Sequence, residues 1–203
     1  MAELGTLFVR AMLVENMPLT YFLGLCTFLA LSRRPGTAFG LGVAVIAVMG
    51  VTVPLNQLIY SALLAPGAWA WAGLPDVDLS YLSLLTFIGV VAASVQLLEM
   101  LLDRFLPAVQ AAFGAFLPLL AIHCAILGGS LFMVERRYDL AEAAVYGLGS
   151  GAGFALAVVM LGAIRGRLAT ADLPAGLRGL GIAFLITGMM SLGFSAFAQM
   201  AAP

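Results

Sequence analysis

The chain has 203 residues, 63% hydrophobic and 9% charged, with a net charge of −1 at neutral pH and a mean hydropathy of +1.11. A soluble domain carries about 25% charged residues, so this composition leaves too few charges for a water-facing shell and assigns the chain to a membrane. The near-zero charge and the lack of a basic patch exclude nucleic acid as a partner.

Six hydrophobic segments are expected, at about 4–31, 37–64, 81–102, 107–134, 140–164 and 177–200. Runs close to or above about 20 residues predict helices, whereas a β-barrel would show alternating strands of about ten. No cleavable signal peptide is expected, because Glu3 stands where a basic n-region belongs and the first segment outruns a short apolar region. That segment contains Glu15, Asn16, Pro18 and Cys26. The second opens on Gly36, Gly40 and Gly42, and carries Pro54 before Asn56 and Gln57, which read as interhelical hydrogen-bonders. The loop from Ala65 to Ser80 holds Trp69 and Trp71, an expected interfacial belt. Glu99 lies late in the third segment, where a carboxylate marks an ion path unless Asp103 and Arg104 hold it at the interface. Glu15 has the same claim.

The fourth segment carries Pro118, His123, Cys124 and Gly128-Gly129, more punctuation than a plain spanning helix needs. In the fifth, Gly147, Gly149, Gly151 and Gly153 recur at every second residue; Gly176, Gly179 and Gly181 open the sixth. They predict close helix packing in lipid. A nucleotide loop is not expected, since the order G-x-G-x-x-G and a preceding strand are both lacking.

Arginines set the expected orientation. Arg33, Arg34, Arg104, Arg165, Arg167 and Arg178 fall in the loops after segments one, three and five, which places those loops in the cytoplasm and both termini in the periplasm. Arg136 and Arg137 pull the other way. The run Pro18, Cys26, Arg33-Arg34 resembles the run Pro118, Cys124, Arg136-Arg137, one in each half of the chain. The expected fold is an all-α integral membrane protein with six transmembrane helices. It forms one domain, 1–203, of two inverted three-helix repeats, about 1–104 and 105–203, with broken helices 1 and 4.

Free cysteine is often an inert, small apolar residue. Two thiols beside helix breaks, one per half, are also suited to a disulfide, a soft metal, or half of an iron–sulfur site, which takes four thiolates. A cluster would need two more from a partner. His123 and Cys124 point about 100° apart on a helix, so His123 is expected to bond or line the site and not to share one ion. With one histidine, no lysine and no G-x-S-x-G elbow, no self-contained ATPase or hydrolase is expected.

Several strings are familiar: Val14-Glu15-Asn16-Met17, Phe22-Leu23-Gly24-Leu25-Cys26-Thr27-Phe28, Gln96-Leu97-Leu98-Glu99-Met100, Phe116-Leu117-Pro118-Leu119 with Cys124-Ala125-Ile126, Tyr146-Gly147, and Asp172 through Gly179. They resemble the E-subunit family of the sodium-translocating NADH:quinone reductases over nearly the whole chain. The related A subunit of Rnf ferredoxin:NAD complexes is the alternative, disfavoured by Glu15-Asn16, by Thr27 after Cys26 and by the tryptophan-bearing loop. His123 departs from the asparagine expected in the family. The resemblance implies a six-helix inverted repeat in the bacterial inner membrane, paired with a homologous D subunit in a six-subunit complex. It implies a [2Fe–2S] centre to which Cys26 and Cys124 contribute two of four ligands, and an association of Glu99 with the sodium path. FAD, FMN, riboflavin and quinone are implied on other subunits. Two rivals stand apart from the resemblance: a stand-alone secondary ion transporter that uses Glu99 and Glu15, and a structural scaffold.

Overall fold

The computed structural model describes residues 2–32, 35–66, 68, 79–105, 117–169 and 179–201. Trp69, Trp71, Arg33, Arg34, Arg178, the string 172–178 and the first ten residues of the fourth segment lie outside them. Every regular element among the described residues is a helix, as an apolar chain needs in a solvent that cannot satisfy exposed backbone groups.

The first segment does not form one helix. Helix α1 (Ala2–Val9) runs into a π-helical turn (Arg10–Val14), followed by α2 (Met17–Thr20) and α3 (Leu25–Leu31). Pro18 explains the first break. Proline is tolerated in the first turn of a helix, where its missing N–H costs nothing, but it cannot continue a preceding helix. Asn16 accordingly stands at the N-cap of α2 with extended dihedrals (φ −62°, ψ 112°), and Pro18 sits in the first turn. The second break falls where Phe22 and Gly24 take left-handed φ values of 56° and 82°.

The fourth segment repeats the device. Pro118 lies in α6 (Leu117–Ala121), His123 is extended (φ −75°, ψ 113°), and α7 begins at Cys124 and ends at Glu135. After α7, Tyr138 N–H donates to Met133 O and Arg137 N–H to Val134 O, both at 3.1 Å. That is a Schellman stop, and it holds Arg137 at φ 54°.

The other segments are long helices. Helix α4 (Pro35–Ile59) passes through Pro54 and ends in a second π-helical turn (Tyr60–Leu64); α5 (Ser83–Phe105) follows a short 3-10 turn; α8 spans Leu140–Leu168 and α9 Leu180–Ala201. The stretches Gly36–Leu64, Ser80–Phe105 and Leu140–Leu168 are long and apolar enough to cross a membrane; Leu119–Glu135, which the break at His123 divides, and Leu180–Ala196 are shorter apolar stretches.

The chain folds as two compact units, Met1–Ala47 with Leu148–Pro203, and Val48–Gly147. In the first, α9 packs on the first π turn, α2 and α3, and Phe28 meets Phe154 edge-on at 6.2 Å. Met17, Leu19, Leu41, Val45 and Leu161 complete its buried core. In the second, α5 packs on α6 and α7, around buried Phe87, Met133 and Tyr146.

The alternating glycines of α8 resolve into two faces, because residues two apart on a helix point roughly 200° apart. In the first unit a Cβ on Gly149 would meet Phe8 O at 2.9 Å, and one on Gly153 would meet Met12 O at 2.6 Å. Gly151 faces α4 instead: its Cβ would stand 2.8 Å from the Ile46 Cα. Gly147, in the second unit, also faces α4, with Met49 O at 2.7 Å from the same construction.

Candidate cofactor-holding and ion-path residues

Cys26 is the second residue of α3, whose N-cap is Gly24. Cys124 is the first residue of α7, whose N-cap is His123. Each thiol therefore sits in the first turn of a helix that starts inside an apolar segment. At such a start the helix dipole favours negative charge, although in α7 the N–H groups of Ala125, Ile126 and Leu127 already bond to His123. Both cysteines are exposed, although Thr27, Phe28, His123 and Ala125 beside them are buried. Cys26 opens onto an apolar cavity of about 440 Å³ with Leu25, Leu29, Ala30, Leu180 and Phe184. Cys26 lies in the first unit and Cys124 in the second.

Each cysteine helix is held at an end by a side chain. His123 is buried, and its Nδ1 accepts a hydrogen bond from the Ala125 N–H at 3.2 Å. An acceptor Nδ1 requires the imidazole proton on Nε2. This is the work asparagine does as an N-cap, which accounts for histidine at a position where asparagine is expected. At the far end of α3, Arg165 donates to Leu29 O at 2.8 Å and to Ser32 Oγ at 2.9 Å, satisfying a terminal carbonyl. Sequence reasoning used Arg165 only as a topology signal. Its i−136 partner carries no local pattern that could have revealed the cap.

Glu15 is buried and accepts from Arg10 Nε at 2.9 Å. The π turn brings the two together: Glu15 N–H donates to Arg10 O, also at 2.9 Å. Asn16 is fully buried; its Nδ2 donates to Gly153 O at 2.8 Å and to Met12 O at 3.1 Å. Glu99 is half-buried on α5, where it lines a shallow cavity of about 440 Å³ with Gln96, Met100 and Asp103. Two carboxylates thus share one helix face, a hard, oxygen-rich surface suited to a cation such as sodium. No ion pair links Glu99 to Arg104 among the described residues. Glu99 lies in the second unit and Glu15 in the first. Asn56 makes the expected interhelical bond, donating to Ser130 Oγ at 2.7 Å, whereas Gln57 donates to Tyr138 O at 2.6 Å, in the turn between α7 and α8.

Among the described residues no three histidine, cysteine or acidic side chains gather in a metal-holding group. Cys26 and Cys124 are the two thiols of the chain, two fewer than a four-thiolate cluster takes.

The chain is 61% identical over 192 residues to the E subunit of the Na(+)-translocating NADH-quinone reductase of Ectopseudomonas mendocina, covering 95% of each chain. It is 57% identical over 197 residues to the subunit of the same name from Nitrosomonas europaea, covering 97% of this chain and 98% of that one. With the same-named subunit of Psychrobacter cryohalolentis it shares 56% identity over 200 residues, 98% and 99% of the two chains. Residues 4–201 match the model of the Rnf-Nqr subunit membrane-protein family, and the chain belongs to that family.

Proposed function

We propose that the chain is the E subunit of a sodium-pumping NADH:quinone reductase, in which Cys26 and Cys124 supply half of an intramembrane [2Fe–2S] site. The observation that carries this reading is the placement of both thiols, each exposed in the first turn of a helix that begins at a break. Two exposed thiolates fit such a centre as half of its donor set. The second pair comes from a homologous D subunit. FAD, FMN, riboflavin and quinone belong to other subunits of the same six-subunit complex.

When bound, a [2Fe–2S] centre supplies one-electron transfer. The chain's own residues hold and tune the site. The cysteine sulfurs ligate; the N-terminal turn of α3 offers N–H groups to negative sulfur, whereas in α7 the N–H groups of Ala125, Ile126 and Leu127 are taken up by His123; His123 and Arg165 fix the two helices from their ends. Charge added in a low-dielectric setting is strongly felt, so sodium occupancy near Glu99 and Asp103 and the redox state become coupled free energies. Glu15, already paired with Arg10, contributes to the ion path by exchanging that partner.

The parallel construction of the first and fourth segments supports an inverted repeat of 1–104 and 105–203. In each, a short helix carries a proline, a break follows, and a cysteine lies at the start of the next helix. The arginine distribution supports a bacterial inner-membrane location with periplasmic termini.

The test uses the assembled complex. Cys26→Ala and Cys124→Ala are each expected to remove about two irons per complex, those of one [2Fe–2S] centre, and to lower NADH-to-quinone electron flow by at least about 100-fold, an estimate from losing a required electron carrier. Glu99→Gln is expected to raise the sodium concentration for half-maximal turnover several-fold. Iron and electron flow that survive both cysteine replacements would refute the ligand assignment, and an unchanged sodium response would remove Glu99 from the ion path. A stand-alone transporter predicts iron-free protein, and a scaffold predicts assembly defects alone.

A further inference from the structure

The turn between α7 and α8 carries the arginine pair that runs against the other loops. Arg136 is accounted for: its guanidinium lies 5.7 Å from the ring centroids of Phe132 and Tyr146, and it donates to Tyr138 Oη at 3.1 Å. Arg137 is not. It occupies the left-handed position after the cap of α7, at φ 54°, where glycine is the unstrained residue. No described residue forms an ion pair or hydrogen bond with its guanidinium. Arg137 lines a cavity of about 490 Å³ with Gln57, Tyr60, Ser61, Val134 and Tyr138.

The geometry points to this cavity as a binding site for the phosphate of an anionic phospholipid. Its depth is that of the membrane boundary, because it lies where the π turn closing α4 and the end of α7 both run out. Its free groups are mainly donors. Arg137 offers a planar fork of N–H groups matched to phosphate oxygens. Tyr60 offers a hydroxyl, and Tyr138 Oη, which accepts from Arg136, keeps its own proton to donate. Gln57 Nε2 is already used on Tyr138 O, while its Oε1 is buried without a partner. That oxygen is an acceptor for a headgroup hydroxyl, such as the glycerol of phosphatidylglycerol. Glu135 and Asp139, both exposed, and half-buried Glu142 are near in sequence but do not line the cavity. Leu58 and Leu63, exposed on the same stretch as the lining residues, supply an apolar track for an acyl chain.

The test compares the delipidated complex in neutral detergent carrying wild-type chain, Arg137→Gly or Arg137→Gln. Glycine removes the side chain while relieving the backbone, so a lost ligand is not a misfolded turn. Native mass spectrometry is expected to find one retained phospholipid fewer in both variants. Titration with phosphatidylglycerol, read by thermal unfolding, is expected to need about tenfold more lipid in the variants, the effect of one charge-assisted contact. Equal lipid counts and equal titrations overturn the proposal. So does inorganic phosphate that reproduces the stabilisation and displaces the lipid at equal concentration, because the source would then be the free anion.

Discussion

Residue placements at the two breaks decide what the thiols can do, and His123 is the most testable of them. Its Nδ1 caps α7 one residue before Cys124. His123→Asn keeps an acceptor at the N-cap and is expected to leave thermal unfolding of the complex unchanged. His123→Ala is expected to cost about 1 kcal/mol, the usual loss for a cap, visible as a lower Tm. An alanine variant as stable as wild type would show that the cap is not what histidine supplies. The cysteine positions were legible in the sequence, because proline followed by cysteine within one apolar run marks a break and the helix start beyond it. The Arg10 partner of Glu15 was not legible. Helical neighbours usually stand three or four residues apart, and here the π turn at Arg10–Val14 brings residues five apart together.

At the scale of elements, the break before Pro18 follows from proline chemistry, a break beside Cys124 falls at His123 as the sequence suggested, and α5 and α8 match the expected bounds within a few residues, as does α4 taken with its closing π turn. A break beside Cys26 was legible, but its form at Phe22 to Gly24 was not: a phenylalanine with φ 56° has no sequence signature, since non-glycine residues rarely take that conformation. The glycine pattern of α8 was legible as packing but not as two faces. It predicts opposite outcomes for one substitution. Gly153→Ala drives a Cβ to 2.6 Å from Met12 O and 3.1 Å from Asn16 Nδ2, and is expected to destabilise by about 1–3 kcal/mol as overpacking does. Gly188→Ala on α9 meets nothing within 4 Å, and is expected to be neutral or to stabilise by up to about 1 kcal/mol through helix propensity. Thermal unfolding of the two variants, side by side, measures the difference; equal effects would mean that α8 does not pack on the first segment at Gly153.

For the molecule as a whole, large apolar side chains stand exposed in both units, some of them beside the cysteines. Phe22 is 52% exposed just before Cys26, and Ile122 is 81% exposed just before His123 and Cys124. Leu85, Met100 and Phe105 do the same along α5, and Met189 and Leu192 along α9. Lipid tails can cover such residues, since the bilayer offers no hydrophobic force against exposure. Lipid cannot, however, supply thiolates to an exposed cysteine. The two thiols of the chain and the four that a [2Fe–2S] centre takes therefore set a stoichiometric prediction. Produced alone in detergent, the chain is expected to purify without iron–sulfur absorbance. Produced with the homologous subunit proposed as its partner, it is expected to carry about two irons per pair. Cys26→Ala in the co-produced pair should remove both irons together, since a cluster short of a ligand does not retain one iron in place. A chain that holds two irons as a monomer would contradict the shared site, because its donors would have to come from residues other than Cys26 and Cys124.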